Sequence, residues 1–110
     1  MNAEEGEGTD SMRITITARH VEIDESLRAV AQDLMEKVVK YARRPHHAQV
    51  IFSEDHGVAV AEIEVHVPRG KIHVAKAEGP DHRSALDAAI ARMKRQLSDE
   101  KEASLPRQRR

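Results

Sequence analysis

Residues Val58 to Leu97 read VAVAEIEVHVPRGKIHVAKAEGPDHRSALDAAIARMKRQL, and this stretch decides the fold class. Over the first ten residues Ala59, Ala61, Ile63, Val65 and Val67 fall on one face, with Glu62, Glu64 and His66 on the other. A period of two with one apolar face belongs to a half-buried strand. Pro68-Arg69-Gly70 makes a tight turn, and Lys71 to Glu78 returns as a second strand. Its phase is ambiguous. Ile72 and Val74 share one face and Ala75 and Ala77 the other, a pattern that admits a bulge. Gly79-Pro80 breaks the chain, and Asp81 is placed to cap a helix running to Leu97. In that helix Leu86, Ile90, Met93 and Leu97 form one apolar stripe, with Ala89 beside it. The far side holds Ser84, Ala88, Ala91, Arg92 and Arg95. After its capping residue the helix has one acid, Asp87, against Arg83, Arg92, Lys94 and Arg95. Alanines between arginines leave room for a phosphate backbone to approach closely.

Upstream, Arg13 to Thr17 (RITIT) alternates and is β-branched, which predicts a strand. Asp24 is a candidate N-cap for a helix in which Leu27, Val30, Ala31, Leu34, Val38 and Tyr41 keep helical spacing and which Pro45 stops. Ala48 to Ser53 reads as a short strand, followed by a His56-Gly57 turn. The order is β-α-β-β-β-α. Strands with polar outer faces and two amphipathic helices predict an α+β fold: a two-layer sandwich, a four-stranded sheet with both helices on one face. Two helical stripes of roughly five large side chains, at about 2 kcal/mol each, supply a sufficient core.

A chain of 110 residues argues for one domain. With 34% charged residues and no long apolar run, membrane insertion is not expected. There is no cysteine, hence no disulfide, thiol nucleophile or zinc–thiolate site. The start, MNAEEGEGTDS, lacks the basic and apolar regions of a signal peptide, so a cytoplasmic location is expected. The net charge of −1 hides an asymmetry. Residues 1–11 carry four acids and no base, leaving 18 bases against 15 acids, a formal +3, for the remainder. The expected organisation is a disordered acidic tail over 1–11, a folded unit over 12–98 and a flexible tail over 99–110. Met12 is itself a candidate start.

The first helix has its own basic stripe: Lys37, Lys40 and Arg44, with Arg43 on the outer face. Bases in the last turn of a helix also suit its dipole. Two basic helix faces in one small domain nevertheless point to an anionic partner. The only large aromatics are Tyr41 and Phe52, with Tyr41 on the apolar stripe. Base-stacking readers of single strands need exposed aromatics, so phosphate and shape contact with structured nucleic acid is the expected mode. Seven histidines raise a metal hypothesis, with His66 and His73 facing each other across the hairpin and His46-His47 adjacent, but no third ligand stands at a recognised spacing. No metal site or cofactor is expected. Glu62, Glu64 and His66 share a strand face without a nucleophile or phosphate loop, so no enzyme activity or small-molecule substrate is expected.

His20 to Ala42, HVEIDESLRAVAQDLMEKVVKYA, resembles the first helix region of the ribosome hibernation-promoting factors, also called ribosome-associated translation inhibitors or sigma-factor modulation proteins. That family pattern is V-E-I-T-x-x-L-R followed by a helix ending near K-x-x-x-Y. Ala77 to Leu97 is similar to its D-M-Y-x-A-I-D-x-x-x-x-K-L-x-R-Q-L segment, through Asp81, Ala85, Leu86, Asp87, Arg92, Met93, Arg95, Gln96 and Leu97. The resemblance spans roughly Arg13 to Lys101 in the same element order. It implies a fold akin to double-stranded RNA-binding domains and binding to the small ribosomal subunit, in the channel shared by mRNA and the tRNAs. Occlusion there would block initiation and store ribosomes during stress or stationary phase, without catalysis. By motif position the resemblance assigns rRNA contacts to Arg28, Lys37, Arg92 and Arg95. The helical wheel adds Lys40, Arg43, Arg44, Arg83 and Lys94.

The sequence departs from the family pattern at His82 and Arg83, which stand where the family has Met and an aromatic; Arg83 becomes a candidate phosphate contact. The chain lacks the linker and second domain of the long forms and reads as a short form, monomeric when free. The acidic N-terminal extension is outside the pattern. The competing expectation is a protein-interaction module that modulates a transcription or stress factor through the sheet face or the acidic tail.

Overall fold

A computed structural model of the chain describes residues 12–104, so the expected tail 1–11 and the part 105–110 of the expected tail 99–110 lie outside the described residues. The elements are β1 (Arg13–Ala18), α1 (Glu25–Val38), a single 3-10 turn (Val39–Tyr41), β2 (His47–Asp55), β3 (Val58–Val67), β4 (Lys71–Gly79) and α2 (His82–Ser104). They form one sheet in the order β1-β2-β3-β4. β1 runs parallel to β2, which α1 makes possible by crossing between them, and the other neighbours are antiparallel. The expected α+β fold with two helices on one side of a four-stranded sheet is therefore present.

The β2–β3 turn is a two-residue loop, His56-Gly57, with positive φ at both positions (53° and 80°), the requirement of a hairpin turn whose twist matches its strands. β3 and β4 pair in unbroken register from Ala59↔Gly79 to Val67↔Lys71, so there is no bulge. Ala75 and Ala77 face the helices; Ile72 and Val74, 48% and 44% exposed, lie on the open face. The register also separates the expected histidine pair. His73 sits opposite Val65 on the helix side, whereas His66 is opposite Ile72 and beside His47 on the open side.

Under the helices the sheet contributes Ala48, Val50, Phe52, Ala61, Ile63 and Val65; α1 contributes Ala31, Met35 and Val38, and α2 contributes Ala85, Leu86, Ala89, Met93 and Leu97. At the entrance to α2 the chain comes very close to itself: a Cβ on Gly79 would lie 2.9 Å from the Ala85 amide nitrogen. α2 does not end at Leu97 but continues through Ser104. The segment after Leu97 contains Lys, Glu and Ala, good helix formers, and no Gly or Pro before Pro106.

Both N-caps form as expected. Asp24 Oδ1 accepts from the Leu27 amide at 2.8 Å, and Asp81 Oδ1 from the Ser84 amide at 2.8 Å. These backbone bonds are the largest cause holding each carboxyl below the ordinary value of 3.8. A depressed carboxyl contributes stability that is complete above its unfolded value and is lost as pH falls through its folded one. Asn still caps but does not ionise. The double variant Asp24→Asn, Asp81→Asn is thus expected to fold at neutral pH and to show a shallower loss of stability between about pH 5 and pH 2, measured by urea unfolding across that range.

Candidate nucleic-acid interface

The two helices enter the fold at one end of the sheet and leave at the other, and charge is sorted along them. Between their N-terminal ends a shallow concavity is lined by Glu22, Asp24 and Asp81 together with His82 and Arg83. At the far end, Tyr41, Arg43 and Arg44 after α1, the Pro68–Lys71 turn, and Leu97 and Glu100 of α2 surround a cleft of about 680 Å³ that also reaches Val67 and His73. Acids near helix N-termini and bases near the C-terminus of α1 both suit the helix dipoles. That account does not extend to Arg69 and Lys71, which come from a hairpin turn.

The nine basic residues expected from the sequence divide into three groups. Lys40 and Arg95 are exposed and have no hydrogen bond or ion pair among the described residues; Arg44 is the same, and lines the cleft beside Arg43. Lys94, exposed on α2, holds its ammonium 5.2 Å from the centre of the Tyr41 ring. That contact ties α2 to the end of α1 through a cation–π interaction. These five residues and the Arg69–Lys71 turn make up the strongly cationic end.

Lys37 and Arg83 are half-engaged. Lys37 pairs with Asp33 at 3.2 Å and Arg83 with Asp87 at 3.0 Å, each one helical turn apart and well exposed. Such pairs are worth a few tenths of a kcal/mol, so a phosphate can displace them. Arg83 nevertheless lies at the end of the molecule where the helices begin, away from the bases of the cleft.

Arg28 and Arg92 have structural work. Arg28 Nη1 donates to the Ile16 carbonyl of β1 at 3.1 Å, and Arg92 Nη1 to the Lys76 carbonyl of β4. β1 and β4 are the two edges of the sheet. One arginine from each helix thus satisfies an edge carbonyl, and Gln96 Nε2 does the same for Val74 at 3.0 Å. Covering unpaired edge groups with side chains blocks strand addition by another molecule. The family position of these arginines is explained by the sheet at least as well as by RNA.

On the open sheet face the His47 and His66 rings meet at a tilt of 46°, with centres 5.0 Å apart. His66 contacts Glu64 Oε1 at 3.3 Å, and Gln49 donates to the same oxygen at 2.9 Å. The Gln49 bond is the largest cause lowering the Glu64 carboxyl, and burial, then the His66 charge, depresses the His47 ring. Among the described residues no three or more His, Cys, Asp or Glu side chains gather as a metal site, and no helix is long and apolar enough to cross a membrane.

Sequence reasoning overlooked Arg69, Lys71 and the exposure of Tyr41. The Arg-Gly-Lys turn was the available signal: two bases at a hairpin tip that the fold brings beside the end of α1. Arg44 and Arg69 both hold left-handed backbone, φ 54° and 72°. For a side chain with a Cβ this costs about 1 kcal/mol or more.

The family model described as Sigma 54 modulation protein / S30EA ribosomal protein matches residues 14–104. The chain is 33% identical over 91 residues to the ribosome hibernation promoting factor of Salmonella typhimurium, covering 83% of this chain and 95% of that protein. The same figures hold for the factor of that name from Escherichia coli K12, and identity is 30% to that of Pseudomonas putida KT2440, with 83% and 88% covered. Among solved structures, the Protein Y N-terminal domain of Thermus thermophilus superposes with a TM-score of 0.68 at 26% identity, covering 81% of this chain and 99% of that one. A ribosomal subunit interface protein from Coxiella burnetii gives 0.67 at 25% identity, with 83% and 99% covered.

Proposed function

The chain belongs to the Sigma 54 modulation protein / S30EA ribosomal protein family, and from that premise we propose that it is a ribosome-associated translation inhibitor acting in the cytoplasm. In this reading it binds the small ribosomal subunit through rRNA, sits in the mRNA and tRNA channel as a monomer, and keeps ribosomes inactive by occlusion. The observation that carries the proposal is the excess of bases at one end: Lys40, Arg43, Arg44, Lys94, Arg95, Arg69 and Lys71 lie there with a single carboxylate in the cleft, Glu100, which pairs with Lys71, while Glu22, Asp24 and Asp81 line the concavity at the other end. A rigid domain with such polarity orients itself in the field of RNA before contact, and phosphate pairing then holds it. Lys37 supports this surface from α1. Arg28 and Arg92 keep the sheet edges closed and the helices in place. No step of this mechanism makes or breaks a covalent bond.

Purified protein is expected to co-sediment with small subunits and to inhibit cell-free translation. About six phosphate contacts give a slope of log K against log salt near −4 to −5. Filter binding to small subunits at several salt concentrations measures it. Binding that ignores salt, or an absence of binding to subunits, overturns the proposal.

A further inference from the structure

The cleft beyond α1 differs from the rest of the cationic end in being a built concavity. Its floor is apolar, from the buried Val67 and Leu97, and its walls come from three separate parts of the chain. A volume of about 680 Å³ exceeds what a phosphate group needs and falls in the range of small-molecule sites. Two features go beyond a surface that only neutralises phosphates. Tyr41 is 37% exposed, in a chain with a single Tyr and a single Phe, and its ring borders the cleft under Lys94. Arg44 and Arg69 hold left-handed backbone on the cleft wall, and neither guanidinium has a partner among the described residues. Gly would occupy both positions without strain. At Arg69 the hairpin turn itself calls for this backbone, as at His56, whereas Arg44 lies in no hairpin, and strain of that kind concentrates at binding sites. The one carboxylate on the rim, Glu100, is already engaged by Lys71 at 2.6 Å.

We infer that this cleft takes one unpaired nucleotide of RNA, its base on the Tyr41 ring and apolar floor and its phosphate between Arg44 and Arg69. Stacking on an aromatic ring accepts any base, and a guanidinium fork matches a phosphate. The inference rests on the reading of this end as RNA-facing, and it specifies a base swung out of its helix as the element held.

The test uses the full-length protein labelled with ¹⁵N and titrated with an unstructured RNA pentanucleotide, AMP or inorganic phosphate, followed by amide NMR. The pentanucleotide is expected to shift the amides of Tyr41, Arg44, Arg69 and Lys71 saturably. Tyr41→Ala is expected to weaken it about 10-fold, as one lost base stack does, while Tyr41→Phe keeps the affinity. Arg44→Gly with Arg69→Gly is expected to weaken it similarly while thermal stability holds or rises. Equal shifts with phosphate, no shift of these amides by AMP, or no effect of Tyr41→Ala overturns the inference. The two readings fail separately. Subunit binding unaffected by Tyr41→Ala with no pentanucleotide in the cleft removes the inference alone. Pentanucleotide in the cleft without any subunit binding removes the proposed function alone.

Discussion

Lys40→Glu with Arg95→Glu is expected to displace the protein from the ribosomal fractions of a sucrose gradient. The two positions take one base from each helical segment, and neither has a partner among the described residues. Reversing a charge removes a phosphate contact and adds a repulsion. At roughly 10-fold for each position, affinity for small subunits falls about 100-fold, and the salt slope becomes shallower by about 2. Both side chains are exposed, so unfolding free energy is expected to stay within about 0.5 kcal/mol of the parent. That pairing of results, binding lost and fold kept, separates an RNA-contacting role from a structural one. Arg92→Glu does not offer the same clarity. It deletes the donor to the Lys76 carbonyl and sets a carboxylate against that oxygen, so the sheet edge suffers along with any RNA contact. Arg92→Gln, which keeps an N–H donor, is the appropriate comparison. A normal gradient profile for Lys40→Glu with Arg95→Glu would sink the proposed surface.

The legibility of this fold follows how one-sided each segment is. β3 buries one face against the helices and turns polar side chains outward, so its period of two could be read directly. β4 carries apolar residues on both faces because Ile72 and Val74 lie on the open side. Its phase was therefore ambiguous until pairing with β3 settled it. The end of α2 was hidden for another reason: the stretch after Leu97 has no apolar stripe to follow, and without Gly or Pro before Pro106 it leaves no stop signal. Tyr41 kept helical spacing with the core stripe, yet the chain tightens into a 3-10 turn over Val39–Tyr41. Three residues at about 120° in place of 100° rotate the stripe by about 60°, which buries Val39 and brings Tyr41 to the surface. The basic faces of the two helices were legible as composition. That two of their arginines reach back to the sheet edges, and that a hairpin tip adds Arg69 and Lys71, depends on contacts far apart in sequence, which no local pattern contains.

Phe52→Ala is expected to be among the most destabilising truncations in the domain, since Phe52 is the largest fully buried side chain among the described residues. Phe52 is fully buried at the centre of β2. Its neighbours across the sheet are small: Ala18 on β1 and Ala61 on β3, with Ala77 next on β4. The row Ala18–Phe52–Ala61–Ala77 thus has one large side chain filling space that three alanines leave. Above it the ring meets His82 edge-on at 5.7 Å, and His82 Nε2 is bonded to the Ser53 carbonyl at 2.8 Å. Removing a buried Phe costs about 3–5 kcal/mol, with the upper end reached where neighbours cannot collapse into the cavity. Alanines have no rotamers with which to collapse, so a value near 4–5 kcal/mol is expected. For a domain of this size that lowers the melting temperature by about 20 °C, readable by calorimetry. The loss extends to function through α2, whose first turn is held to β2 by His82 and whose outer side presents Lys94 and Arg95. Phe52→Ala is therefore expected to weaken subunit binding in proportion to the fraction unfolded, with the salt slope of the folded fraction unchanged. A melting temperature within a few degrees of the parent would mean that the sheet and α2 close over the gap, and would contradict the packing described.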